Sequence, residues 1–198
     1  MESQPGPENP VAMRIVGGKL RGRRLLSPKD QSIRPTTDRN RESLFNILAH
    51  RWPAQLNGNV LDVFAGTGAL GIEALSRGAK HCVFIEKNRQ GAGLIEQHIE
   101  SFAVMEQSRI LRMDATSPGA VDQWGPFDLV FVDPPYAQGL GEKAVGNLVK
   151  GGWFATNALL VLEEKQGFLP ATIEAFELLD QRDSGDTSIG IFQYVTCR

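Results

Sequence analysis

The sequence predicts an α/β fold, a doubly wound and mostly parallel sheet, on three observations. Short apolar runs alternate with helical periodicity from Asn59 onward, a glycine-rich turn follows the first run, and acidic residues stand at or near the ends of the first four runs. Such alternation makes parallel strands with helices on both faces, and ligands then bind beyond the carboxyl ends of the strands. Strands are expected near 59–64, 81–86, 108–112, 128–133 and 158–163, and helices near 69–77, 88–102 and 139–150. Two last runs, Glu174 to Leu179 and Ile189 to Thr196, flank the turn-rich stretch 180–186 and read as a terminal hairpin.

Ahead of the alternation the chain divides into a tail over 1–12 and a basic extension over 13–52, leaving 53–198 as the main domain. The tail is proline-rich and poor in apolar residues, and is expected to be disordered. Residues 13–51 carry ten basic side chains against three acids, a net +7 within a chain whose total is -2. A compact basic segment on an otherwise acidic protein is the footprint of phosphate-backbone contact. Arg14, Lys19, Arg21, Arg23, Arg24, Arg34 and Arg39 are the candidate RNA-binding residues. Its glycines suggest a small β-ribbon, with Met13 to Gly17 and Arg23 to Leu26 as short strands. Thr37 or Asp38 is expected to cap an amphipathic helix whose Phe45 and Leu48 face the core.

With 198 residues and 41% hydrophobic content, the chain can bury a substantial core. It contains no apolar stretch long enough to span a membrane, and a cytoplasmic, monomeric protein is expected. Cys82 and Cys197 lie far apart, without a C-x-x-C pair and with three histidines in the whole chain, so no metal site is expected.

Asp62-Val63-Phe64-Ala65-Gly66-Thr67-Gly68-Ala69-Leu70-Gly71 joins an apolar run to a helix and carries G-x-G-x-x-G spacing. Backbone approaches a ligand closely at such a turn, and the helix N-terminus faces it. Asp62 favours S-adenosylmethionine over a dinucleotide, because a methionine ammonium needs an anion where a pyrophosphate would be repelled. Glu86, about twenty residues past the glycines, is placed to accept from two ribose hydroxyls. Asp114 stands at the same edge, near where an adenine amino group would lie. Phe64, Ala65, Gly66, Thr67 and Gly68, with Lys87 beside Glu86 and Ala115 beside Asp114, complete the candidate cofactor set.

Behind the run Leu129-Val130-Phe131-Val132 stands Asp133-Pro134-Pro135-Tyr136. Two consecutive prolines fix φ and remove two N–H donors, which leaves the carbonyls of Asp133 and Pro134 free to accept from a substrate amine. Tyr136 supplies a face on which a flat ring can stack. These four residues are the candidate catalytic group.

Together Arg14-Ile15-Val16-Gly17-Gly18, Arg21-Gly22-Arg23, Arg34-Pro35-Thr36-Thr37-Asp38-Arg39, the glycine stretch 62–78 and Asp133-Pro134-Pro135-Tyr136 resemble the bacterial RsmD family of 16S rRNA guanine-N2 methyltransferases. The resemblance covers roughly 13–165. It implies a class I S-adenosylmethionine-dependent methyltransferase fold, Rossmann-like, and a substrate guanine of 16S rRNA within the small ribosomal subunit or an assembly intermediate. Guanine N2 has a lone pair delocalised into the ring, so catalysis would consist of positioning and electrostatics, with Asp133 and the Pro134 carbonyl drawing the amine toward the methyl. A base must leave its stack to enter, which Tyr136 would offset. Methylation of DNA adenine would use the same turn but needs a separate recognition region, and methylation of protein glutamine gives the basic segment no purpose. A nicotinamide oxidoreductase or a noncatalytic RNA-binding module leaves Asp133 to Tyr136 unexplained.

Overall fold

A computed structural model of the chain describes residues 13–27, 38–135 and 139–195. Arg34, Thr37, Tyr136 and Cys197, with the tail 1–12, lie outside the described residues. Among the described residues one sheet has seven strands: β1 Asn59–Val63, β2 His81–Ile85, β3 Ser108–Leu111, β4 Phe127–Val132, β5 Phe154–Lys165, β6 Phe176–Ser184 and β7 Thr187–Tyr194. Their order is β3-β2-β1-β4-β5-β7-β6. The first five are mutually parallel, whereas β7 runs antiparallel between β5 and β6. Strand order therefore reverses between β1 and β4, and the crevice at that switch point is where a ligand is received.

Helices cover both faces, as interior parallel strands require. On one side α1 Asp38–Arg51, α3 Ala69–Arg77 and α4 Arg89–Ser101 bury Phe45, Leu48, Ile72, Leu75 and Ile95 against Val60, Phe84 and Phe131. On the other, α5 Leu140–Lys150 packs Val145 and Leu148 with Trp153 against Leu61, Val130 and Leu160. Phe45 and Leu48 are core residues, as their helical spacing predicts. A four-residue helix, α2 Pro53–Leu56, precedes β1 and has too short a pattern to be seen in sequence.

Two expectations need correction. The polar stretch 180–184 is strand, not turn: β6 runs through it and pairs with β7 down to Ser184↔Thr187, leaving Gly185 and Asp186 as the connection. An edge strand tolerates charged side chains, and these are used, with Arg51 bonding Asp180 at 3.1 Å and Ser188 bonding Asp183 at 2.5 Å. The N-terminal ribbon is a single bridge, Arg14↔Arg24, closed over a 3-10 turn at Gly18–Leu20. Asp38 lies within the first turn of α1, where it accepts from Arg14 N at 3.3 Å and Arg41 Nη2 at 2.8 Å.

What the bridge lacks in strand pairing it gains from α3. Met13, Ile15, Leu20 and Leu25 enter the same core cluster as α1 and α3. The Val16 amide donates to Glu73 Oε2 at 2.8 Å, the Leu20 amide to Ser76 Oγ at 2.9 Å, and Ser76 Oγ to the Gly17 carbonyl at 2.5 Å. Contact is so close that a Cβ on Gly18 would stand 1.9 Å from the Ser76 carbonyl oxygen. Glu73 is wholly buried, accepts from Arg77 Nε at 2.7 Å and forms an ion pair with Arg41 Nε at 3.8 Å, beyond hydrogen-bond distance. Arg41, equally buried, donates to the Arg14 carbonyl. Removing one member of such a cluster strands the others, so Glu73→Ala is expected to lower the unfolding free energy by about 3–5 kcal/mol. Urea midpoints at unchanged slope would measure it, and a loss below about 1 kcal/mol would place this cluster among weak surface pairs.

Candidate active site

At the carboxyl edge of β1, β2 and β4 lies a cavity of about 680 Å³. Its floor is the turn from β1 into α3. Phe64, Gly66 and Gly68 all have positive φ, at 59°, 56° and 76°. For Phe64 that is a left-handed conformation that costs energy and persists only where the surroundings impose it. Two carboxylates impose them. Asp62 Oδ2 accepts the Gly71 amide at 2.9 Å, and Glu86 Oε2 accepts the Gly66 amide at 2.8 Å.

Close packing fixes the remaining freedom. A Cβ on Gly71 would lie 2.4 Å from the Phe84 ring and 2.6 Å from Cys82 Sγ, so α3 can meet β2 at this distance only through a glycine. Gly91 does the same for α4, since a Cβ there would lie 2.8 Å from the Gly66 carbonyl oxygen. The third glycine of the motif therefore serves packing, and the first two serve the turn.

Three walls rise from the strand ends. Beyond β2, Glu86 also takes the Asn88 amide at 2.6 Å, and Asn88 caps α4 through the Gln90 and Gly91 amides at 2.8 and 3.4 Å. Beyond β3, Asp114 accepts from Thr116 N at 2.9 Å, from Thr116 Oγ1 at 2.8 Å and from Lys87 Nζ at 3.1 Å. Beyond β4, Asp133, Pro134 and Pro135 close the cavity against Leu140 at the start of α5.

Of the sequence-predicted residues, Asp62, Phe64, Ala65, Gly66, Thr67, Glu86, Lys87, Asp114 and Ala115 line the cavity together with Asp133, Pro134 and Pro135. Gly68 stands just behind it as the N-cap of α3. Arg14, Lys19, Arg21, Arg23, Arg24 and Arg39 are exposed outside the cavity. Some are already engaged, Arg23 with the Ser101 carbonyl at 2.7 Å and Lys19 with Gln107 at 3.2 Å. Arg41, Asn88, Gln90, Met113 and Thr116 also line the cavity and were not singled out from sequence. Asn88 carries a readable signal, a capping residue directly after a strand-end acid. Arg41 carries none, because an arginine on an amphipathic helix reads as surface.

The carboxylates differ sharply in environment. Burial pushes Asp62 up to about 7, opposed by the Gly71 amide and reinforced by Glu86. Asp133 is driven well above the carboxylate range by burial first, and then by Glu163, Asp62 and Glu164. Asp114 is held at about 2 by both Thr116 donors and by Lys87. The cavity thus carries one carboxylate, Asp114, held ionised by its donors, and another carboxyl, Asp133, whose proton is held far more tightly.

Residues present fit S-adenosylmethionine. Each Glu86 oxygen spends one lone pair on a backbone amide and keeps another for a ribose hydroxyl. Asp62, at the end of β1, also lines the cavity and can supply the counter-charge that a methionine ammonium needs, and the volume suits a molecule of that size.

A family model described as "Conserved hypothetical protein 95" matches residues 13–193. Ribosomal RNA small subunit methyltransferase D of Escherichia coli strain K12 is 36% identical over 192 residues, which are 96% of this chain and 94% of that one. Its namesake in Haemophilus influenzae is 34% identical, over 91% of this chain and 93% of that one. The solved structure of yhhF from Escherichia coli superposes with a TM-score of 0.79 at 33% identity, covering 93% of this chain and 99% of that one. Sheet order, glycine turn and these likenesses agree on a class I, S-adenosylmethionine-dependent methyltransferase. Matched along nearly its whole length, the chain belongs to the family of small-subunit ribosomal RNA methyltransferases D.

Proposed function

We propose that this enzyme transfers a methyl group from S-adenosylmethionine to the exocyclic N2 of a guanine in 16S rRNA, in the small ribosomal subunit or an assembly intermediate. The observation that carries the reading is the juxtaposition of Asp133 to Pro135 with the glycine turn on one cavity wall and floor. The cofactor supplies an electrophilic methyl on a sulfonium. Everything else falls to the chain's own residues.

Glu86 would hold the ribose, Asp114 the adenine end and Asp62 the methionine ammonium. The Pro134 carbonyl and the Asp133 carboxyl would accept the two amine hydrogens, orienting N2 and drawing its lone pair out of the ring plane. A carboxyl oxygen of Asp133 acts as a hydrogen-bond acceptor, and the proton released after transfer passes to water. Tyr136 would stack on the base. The exposed arginines of the N-terminal segment would meet phosphates, with Arg34 from the segment that precedes α1. The enzyme would act as a monomer in the cytoplasm.

Asp62 gives the reading a pH signature. Its carboxyl in the free enzyme titrates at about 7, and an ammonium partner lowers that by favouring the ionised form. Cofactor affinity is therefore expected to rise as pH goes from about 6 to 8 and to level off above, each pH unit below the free-site value costing up to about tenfold. In Asp62→Asn the profile should be flat, and a wild-type slope retained in the variant would remove Asp62 from the ammonium site. The reading as a whole is checked with methyl-labelled S-adenosylmethionine, small subunits lacking native rRNA modification, and nucleoside analysis of the digested RNA. N2-methylguanosine is the expected product. Label in DNA adenine or protein glutamine offered in parallel, and none in rRNA, would keep the fold and overturn the substrate.

A further inference from the structure

His98, in the last turn of α4, is buried outside the cavity and is hydrogen-bonded from two sides. The Leu26 amide donates to its Nε2 at 2.7 Å, while its Nδ1 lies 3.1 Å from the Thr67 carbonyl oxygen. A ring nitrogen that accepts from an amide bears no proton, so the proton sits on Nδ1 and is donated to Thr67. Burial lowers the pKa of His98 and favours the same neutral form. The ring is held flat against Phe102, with centroids 5.7 Å apart and planes 6° from parallel. Arg23 of the N-terminal segment lies over Phe102 in turn, 4.9 Å from its centroid.

Thr67 sits between the two positive-φ glycines and lines the cavity. Its carbonyl is the part of the turn that His98 can hold. Leu26 belongs to the N-terminal basic segment, whose other hydrogen bonds from Val16 and Leu20 go to α3. One imidazole therefore bonds both the cofactor turn and the segment assigned to RNA. We propose that His98 is a positioning residue coupling the N-terminal segment to the cofactor turn, so that S-adenosylmethionine binding and docking of the segment favour one another. Coupling of this kind is reciprocal: RNA that engages the segment would tighten the cofactor site, a consequence that rests on the proposed function, whereas the coupling itself does not.

Two substitutions divide the ring. Asn at 98 offers a donor near the position of Nδ1 but cannot reach Leu26, and Gln reaches the position of Nε2 but leaves Thr67. Amide-resolved hydrogen exchange by NMR, with and without saturating S-adenosylmethionine, reads the link on the full chain in the absence of RNA. The Leu25 amide, bonded to the Met13 carbonyl at 2.8 Å, is the internal reference. In the wild type the cofactor should slow exchange at Leu26 by about fivefold or more relative to Leu25, the lower end of typical coupling. His98→Asn and His98→Gln should each reduce that response to near one, with the Leu25 rate unchanged. A wild-type Leu26 amide that ignores the cofactor overturns the proposal without recourse to any variant. So does a full response retained in both variants. Because the assay contains no RNA, failure of the rRNA reading would leave its outcome unchanged.

Discussion

The hydrogen bond from the Gly71 amide to the buried Asp62 carboxylate, 2.9 Å long, ties the first turn of α3 to the strand that feeds it. Much of the molecule follows from that tie. With α3 fixed, the intervening turn must pass through left-handed backbone at Phe64, Gly66 and Gly68, which opens its inner face to a ligand. Two residues along α3 from Gly71, Glu73 collects Val16, Arg41 and Arg77, and one turn further Ser76 holds Gly17 and Leu20. The same helix that shapes the glycine turn at its start thus carries the N-terminal segment on its flank. The exposed basic segment and the cavity are thus both anchored on one nine-residue helix.

Across the cavity, environment sorts chemically equivalent carboxylates into different states. Asp114 is exposed and surrounded by donors, and stays ionised. Asp62 is buried with one amide donor and titrates near neutrality. Asp133 is half-buried beside other acids, and poor solvation together with Glu163, Asp62 and Glu164 drives its carboxyl well above the carboxylate range. Strand register explains the crowding: Val132 pairs with Leu162, so the next residues along these parallel strands are Asp133 and Glu163.

Most of this was legible in the sequence where a residue's role depends on its local pattern. Apolar runs located the five parallel strands: the four interior ones are buried on both faces and carry few polar residues, and the edge strand β3 shows through its Ile110-Leu111 pair. The G-x-G-x-x-G spacing and the acids after strands located the cavity, because strand ends are set by the same runs. Where a role depends on distant partners, the pattern was silent. Glu73 reads as an ordinary helical acid, yet its partners lie 57 residues away at Val16 and on a separate helix at Arg41. His98 reads as an amphipathic-helix residue, and nothing near it announces Thr67 or Leu26. The polar run in β6 reads as a turn because edge pairing with β7 supplies what its side chains do not.

On the proposed function the cavity has two halves, a cofactor half held by Glu86 and an acceptor half formed by Asp133 to Pro135. Calorimetric titration of S-adenosylmethionine into Asp133→Ala and Glu86→Ala, beside turnover of each, tests it most directly. Asp133→Ala should bind the cofactor within about twofold of the wild type while losing turnover, because on that reading Asp133 contacts the amine and not the cofactor. Glu86→Ala should weaken cofactor binding by at least about tenfold, since hydrogen bonds to a charged group contribute about 1.5–3 kcal/mol each. The reverse pattern, with cofactor affinity lost at Asp133 and retained at Glu86, would contradict the division.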